Sequence, residues 1–519
     1  MTASARHTAV VVGVLGALAL LIAAARLHTY HEPLERDITS AAVIADEMLG
    51  GRSLYSDMWD HKPPAIHLTH ALAILLVGPG PGAIYLLNVA AAIITLLGVF
   101  VAASAIGGVA GGLWGAVFWT LVSGDVWLQA NQPNTEVFIN ACMIWAFALL
   151  VRAGSQPHIW RVLAIGALFA LGSLYKPVAA ATAAMLALAH IVAPGPGCSR
   201  RRAFVDALVI GGIGAAAWLG TSAYFAARGR FADFYQAVFA YNSYYSSRVW
   251  SDHTVSSQSI SANLVNSLLP DSLDLKFFSL ATTLAALTVA GAVHGGISGP
   301  RRPWLLLLAF AIGTHIAVAL PGQWHLHYYQ LWLPLLAVGA GWAAVSSFAP
   351  RLRRIPRWVP SAVASAAVIL LLAQQVPLYR VPPEAWSRLK YGQEFIEEQQ
   401  LGRELGALLA PGETFYEFGA ETGLYFESRH APPSGAFYLY PMLEGPAASA
   451  LTARAITDLQ RRSPTLFVVN KSQLLHGWVR HPIMDWAQTR YVALADGVDH
   501  GTYVLLVRRG SRLDVTPTR

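Results

Sequence analysis

The chain has 519 residues, of which 55% are apolar and 13% charged, with a formal net charge of +7 and a mean hydropathy of +0.45. A soluble protein of this size carries about 25% charged residues, so the composition excludes an ordinary soluble enzyme and implies repeated membrane spans. The basic residues sit in short loops between apolar runs, where they orient membrane helices. That placement excludes nucleic acid as the partner the net charge would otherwise suggest.

The first apolar run, Ala9 to Ala25, follows a single basic residue, Arg6, and no small-residue cleavage site precedes the charged loop. It reads as a retained span over 8–27, not a removed signal peptide. The loop over 28–64 then concentrates Glu32, Glu35, Asp37, Asp46, Glu47, Asp57 and Asp60 against Arg36, Arg52 and Lys62. Asp37 lies within about a dozen residues of the end of the first span. A carboxylate partly desolvated at the interface gains basicity and can serve as a general base, so Asp37 is the candidate catalytic residue. Asp57 is a candidate for contacting sugar or acceptor. Lys62 precedes two prolines where a helix is about to start, and an ammonium beside a helix N-terminus attracts phosphate.

The next apolar stretch, Pro64 to Gly78, is too short to cross the hydrocarbon and carries His67 and His70. It reads as an interfacial or re-entrant helix. Further spans are expected at 82–104, 109–124, 136–152, 160–175, 178–194, 205–226, 275–297, 303–320, 329–348 and 358–376, about eleven in all. With a cytoplasmic N-terminus, alternation puts Arg200-Arg201-Arg202, Arg301-Arg302 and the basic run Arg351 to Arg357 inside. Counting 64–78 as a span would place all three outside.

With this topology the polar features converge on the outer face. Glu136, opening a span after Asn131-Gln-Pro-Asn134-Thr, is a second candidate catalytic carboxylate, although an acid is also favourable in any first helical turn. Asn131 and Asn134 have amides suited to sugar hydroxyls. Lys176, also followed by proline, is a second candidate for the donor phosphate, or a snorkelling interfacial lysine. His327 and Tyr328, within His325-Leu-His-Tyr-Tyr329, are candidates for sugar or acceptor, as are Asn242 to Tyr245 and Arg248. Two histidines alone do not define a metal site. The cysteines, Cys142 in a span and Cys198 in a basic loop, have no plausible partner, so neither a disulfide nor a thiolate metal site is expected.

Beyond residue 376 short apolar strands alternate with helical stretches: Thr414 to Gly419, Thr465 to Asn470, Tyr491 to Leu494 and Thr502 to Val507, with an amphipathic helix over Leu451 to Arg462. This pattern predicts a small α/β domain. The domains are therefore expected at 1–376, transmembrane, and 377–519, soluble and extracytoplasmic. Gly78-Pro-Gly-Pro-Gly82 has no preceding strand for a dinucleotide fingerprint, and no P-loop, nucleophile elbow or HExxH motif is present. Charges are nearly absent from span centres, which disfavours an ion-coupled pump.

Together these residues resemble the membrane glycosyltransferases of the GT-C fold, in particular the bacterial family 39-like proteins related to protein O-mannosyltransferases and to the lipid A aminoarabinose transferase. The resemblance rests on Pro33-Leu-Glu-Arg-Asp37, a helix over 41–51, Leu54-Tyr-Ser-Asp57 and Lys62-Pro-Pro64, then Asn134-Thr-Glu136, Gly172 to Pro177 and His327-Tyr-Tyr329. It implies that Asp37 activates the acceptor and that Lys62 contacts the donor phosphate. It also implies a polyprenyl-phosphate sugar as donor, a glycan, lipid or protein as acceptor, and a bacterial inner membrane. Many relatives carry Asp-Glu where this chain has Asp37-Ile38, and the missing acid weakens the case for a divalent metal cofactor. The competing readings are a lipid or polysaccharide flippase, which would favour pseudo-repeats and broken midplane helices, and a non-catalytic cell-envelope assembly protein.

Overall fold

A computed structural model describes residues 3–152, 159–251, 254–257, 259–268, 283–291, 293, 301–346, 356, 358–472 and 480–515. The chain forms two compact units. One comprises Met1–Tyr30, Ile84–Thr221 and Gln258–Trp386; the other comprises His31–Ala83, Ser222–Ser257 and Ser387–Arg519.

The first unit is helical. Among the described residues, five helices are long and apolar enough to cross a membrane: Ala5–His28, Pro81–Val122, Arg200–Ala227, Arg301–Ala319 and Val359–Arg380. Shorter apolar helices lie at Thr135–Val151, Ile159–Tyr175 and Ala179–Val192. The chain is a multi-pass membrane protein of mostly helical structure. Most of the span expected at 275–297, and the basic run 351–357 apart from Pro356, lie outside the described residues.

Pro81–Val122 contains 42 residues, about 63 Å at the α-helical rise and twice the hydrocarbon thickness. It resolves into two legs because Gly108 takes φ 68°, ψ −178°. The legs then run back along one another: the Trp119 indole N–H donates to the Ala92 carbonyl at 2.9 Å, and a Cβ on Gly115 would lie 3.1 Å from that of Ala103. Elsewhere Gly313 lets helix Arg301–Ala319 approach the backbone at Thr182, where an added Cβ would come within 2.5 Å. Such backbone contact suits packing in lipid, where close van der Waals fit replaces the hydrophobic effect. Arg302 donates to the carbonyls of Ala193, Val151 and Leu150 at 3.1, 3.2 and 2.6 Å, capping the negative ends of two helices.

The second unit draws on three distant parts of the sequence. A four-stranded sheet runs in the order Phe415–Phe418, Leu466–Asn470, Tyr503–Arg508, Tyr491–Ala493. Its first pair is parallel and the others antiparallel. The amphipathic helix Ala448–Arg461 buries Leu451, Ala455 and Leu459, the 3.6-residue spacing of one face.

The first loop is held within this unit. Lys390 and Glu32, both without side-chain exposure, form an ion pair at 2.6 Å. Breaking such a buried pair costs about 3–5 kcal/mol, since the surviving charge has no water. The Thr422 hydroxyl donates to the Arg36 carbonyl at 3.0 Å and lies 2.7 Å from the Thr39 hydroxyl. The Arg36 guanidinium donates to the Tyr440 hydroxyl at 2.9 Å and pairs with Glu394.

Candidate functional site

Helix Arg36–Leu49 begins where Glu35, in an extended conformation, accepts the Asp37 N–H at 3.0 Å. The bond satisfies one of the backbone donors left free at the helix start. Ile38, Ala41, Ala42, Ile44 and Ala45 form its buried face, and Gly51 at φ 96° ends the segment. Asp37 thus stands in the first turn with its side chain 38% exposed.

The chain next makes a tight turn. Tyr55, at φ 70°, donates its N–H to the Met58 carbonyl at 2.7 Å. A non-glycine residue in that region costs about 1 kcal/mol or more, here offset by complete burial of the Tyr55 ring against Phe225 and Phe234, at centroid distances of 5.1 and 5.5 Å. The Tyr55 hydroxyl donates to the Lys62 carbonyl at 2.9 Å. Asp57 closes the turn, its Oδ2 accepting the Ser53 N–H at 2.8 Å. Asn242, expected to line a sugar or acceptor site, donates to the His61 carbonyl at 2.7 Å, and Tyr245 stacks on the His61 ring at 5.7 Å.

These supports bring Lys62 to Asp37. Lys62 Nζ donates to Asp37 Oδ1 at 3.0 Å and lies 4.0 Å from Asp60 Oδ2. Burial alone would depress its pKa, but the carboxylates of Asp37 and Asp60 outweigh the lost water and hold it above the ordinary lysine value. Glu35 behaves oppositely: burial, then the charge of Asp37, push its carboxyl up to about 8. Near neutral pH the site therefore holds Asp60 as an anion, Lys62 as a cation and Glu35 protonated. Beyond Pro63-Pro64, helix Ala65–Val77 buries His67 and His70 and exposes Leu68, Leu72, Leu75 and Leu76.

The helical unit contains a second cluster. Lys176 Nζ donates to Glu136 Oε1 at 2.9 Å and sits 3.3 Å from the centre of the Tyr328 ring. His327 Nδ1 lies 3.2 Å from Gln129 Oε1, and its ring meets Tyr328 edge-on at 4.7 Å. Asn131 presents its carbonyl to the Asn88 amide at 2.6 Å. Asn134 is 2% exposed, and its amide N and O have no hydrogen-bond partner among the described residues. The loop carrying both asparagines is held by Arg26, which donates to Asn88 Oδ1 at 3.0 Å, to the Ala130 carbonyl at 3.4 Å and to the Ser123 carbonyl.

Sequence reasoning thus singled out all four members of these lysine–carboxylate pairs, but neither their pairing nor all their supports. Arg26 was absorbed into the end of a span, and Asp60 and His67 were read as loop charge and interfacial helix. The available signal was the clustering of Asp60, His61 and Lys62. A thiolate metal site was not expected, yet ligand atoms of His190, Cys198 and Asp206 lie within 4.8 Å of one another. That carboxylate is also engaged by Arg202, at 2.9 Å.

No protein-family model and no curated protein matches the chain. Among solved structures it is similar to ArnT from Cupriavidus metallidurans bound to undecaprenyl phosphate, with 16% identity over 96% of this chain and 98% of that one and a TM-score of 0.61. The apo state of the same protein gives a TM-score of 0.58 at 16% identity, covering 97% and 98%. The archaeal oligosaccharyltransferase AglB from Archaeoglobus fulgidus, in complex with an inhibitory peptide and a dolichol-phosphate, gives 0.51 at 12% identity, covering 97% of this chain and 74% of that one. At such identities the likeness is one of fold, and the chain has the GT-C fold that its first-loop residues led us to expect.

Proposed function

We propose that this protein is an integral-membrane glycosyltransferase that moves a sugar from a polyprenyl-phosphate donor to an extracytoplasmic acceptor with inversion. In this reading it resides in the bacterial inner membrane, and its 377–519 region and first loop face outward. The observation that carries the proposal is the Lys62–Asp37 pair at 3.0 Å in a GT-C chain. It joins a half-exposed carboxylate to a cation suited to a phosphate.

Asp37 takes the proton of an acceptor hydroxyl as that oxygen attacks the anomeric carbon. The bond from that carbon to the phosphate oxygen breaks on the opposite side, its electrons pass to the lipid phosphate, and Lys62 offsets the developing charge. Asp57, having closed its own turn, acts through loop shape. In the helical unit we assign Lys176 to an anionic group, Glu136 to its positioning, and Asn131, Asn134, His327 and Tyr328 to sugar or acceptor hydroxyls. The orphaned Asn134 amide supports that assignment, since a buried amide without partners is costly unless a ligand supplies them.

The test is incubation of the purified protein with a panel of polyprenyl-phosphate hexoses and pentoses, following release of polyprenyl phosphate. Asp37→Asn is expected to lower turnover by about 10²–10⁴-fold while binding of undecaprenyl phosphate persists. A wild-type protein that releases none of the panel, or an Asp37→Asn variant that turns over normally, would rule the reading out.

A further inference from the structure

An inverting displacement places the base and the leaving-group cation on opposite sides of the reacting carbon. With reacting atoms about 3–3.5 Å apart and hydrogen bonds of about 2.6–3.2 Å at each end, Asp37 and Lys62 must part well beyond the 3.0 Å that now joins them. Their ion pair is thus a resting arrangement, and something must keep Lys62 charged and in place when it opens.

Asp60 meets that requirement. It is 1% exposed and held from several sides. Its Oδ1 accepts the backbone N–H groups of His61 and Lys62 at 2.7 and 3.4 Å and the Tyr438 hydroxyl at 3.3 Å, with His61 Nδ1 also at 3.3 Å. Its Oδ2 faces His67 Nε2 at 3.1 Å and Lys62 Nζ at 4.0 Å. His67 is fully buried on helix Ala65–Val77, and the bonds to Oδ1 hold this carboxylate in place, whereas that of Asp37 is 38% exposed.

We propose that Asp60, held through its Oδ1 with His67 beside its Oδ2, is a positioning residue that retains Lys62 at the donor-phosphate place while its bond to Asp37 opens. The inference rests on the glycosyltransferase reading and deepens it. A lysine facing Asp37 alone would close onto it, because a lone ion pair shielded from water strengthens as the dielectric falls. The second, immovable carboxylate makes the first bond exchangeable. An arriving lipid phosphate then takes Asp37's place on Lys62, and the more exposed Asp37 side chain is freed as the base, so the acceptor is activated only after the donor binds.

The test compares wild type with Asp60→Asn, which keeps shape and removes charge. Turnover is expected to fall about tenfold or more while donor KM and the Kd for undecaprenyl phosphate stay within about threefold. A loop that merely misfolds would lose binding as well. Independently of turnover, acylation of Lys62 by an amine-reactive reagent in mildly alkaline buffer, mapped by mass spectrometry, is expected to accelerate about fivefold or more, since one of its two stabilising charges is gone. Lys390, whose side chain has no exposure, serves as the internal fold control and stays unlabelled. His67→Gln moves the same readouts in the same direction by less. Wild-type turnover or Lys62 reactivity in Asp60→Asn overturns the proposal, as does an equal rise at Lys390. If no donor is turned over even by wild type, the glycosyltransferase reading fails, and the Lys62 reactivity still decides the role of Asp60.

Discussion

The Lys62–Asp37 and Lys176–Glu136 pairs have nearly the same length, 3.0 and 2.9 Å, yet they are exposed in opposite ways. In the first the carboxylate is 38% exposed and the lysine 13%; in the second they are 2% and 22%. The exposed partner is the acid in one case and the ammonium in the other. Lys62 is braced by a second carboxylate at 4.0 Å, whereas Lys176 lies on the Tyr328 ring at 3.3 Å. A carboxylate that reaches solvent can accept a proton from a substrate; one sealed beneath its lysine holds the lysine in place. Pair length alone would not have told them apart.

The sharpest way to break the comparison is through rate. The large loss of turnover expected for Asp37→Asn is to come with little change in thermal stability, because Lys62 keeps Asp60 as a second counter-charge. Glu136→Gln inverts that profile. It leaves Lys176 without its counter-charge and is expected to cost about 3 kcal/mol, read as a lower apparent Tm in detergent. If Glu136→Gln instead spared stability and abolished turnover, the two acids would have to exchange roles.

Glu35 sharpens the contrast through pH. Its carboxyl ionises near 4.5 when free and at about 8 in the fold. Between those values the folded chain binds more protons than the unfolded one, so this group's contribution to stability falls as pH rises from about 4.5 to about 8. Glu35→Gln should remove that slope, flattening apparent Tm by a few degrees across the window; an unchanged slope would show that Glu35 is not the proton holder. The smallest effect is expected for Tyr328→Leu. Loss of the cation–ring contact costs about 0.5–2 kcal/mol, measurable as a modest Tm decrease that should vanish when Lys176 is already replaced by Met.

The membrane class was legible because apolar runs and basic loops state it directly. The break inside Pro81–Val122 showed as the Gly107-Gly108 interruption. Asp37, Lys62, Glu136 and Lys176 were legible for a related reason: charge is scarce in this chain and stands out. What stayed hidden is pairing over distance. Nothing local says that Glu32 meets Lys390, that Arg26 ties down the 123–130 turn, or that Asp60 is buried under His67. Charged side chains buried in pairs look the same in sequence as charged side chains in water. Span number was less legible: among the described residues five helices are long and apolar enough to cross, and Ala179–Val192 has 14 residues where a perpendicular crossing needs roughly 20.

The Glu32–Lys390 tie has a consequence for biosynthesis. The two partners are separated by most of the polypeptide, so during synthesis the N-terminal segment leaves the ribosome long before its counter-charge exists. The first loop cannot complete this buried ion pair until residue 390 has been synthesised. A ribosome that stalls earlier would release a product whose Glu32 carboxylate lacks the counter-charge that its burial requires.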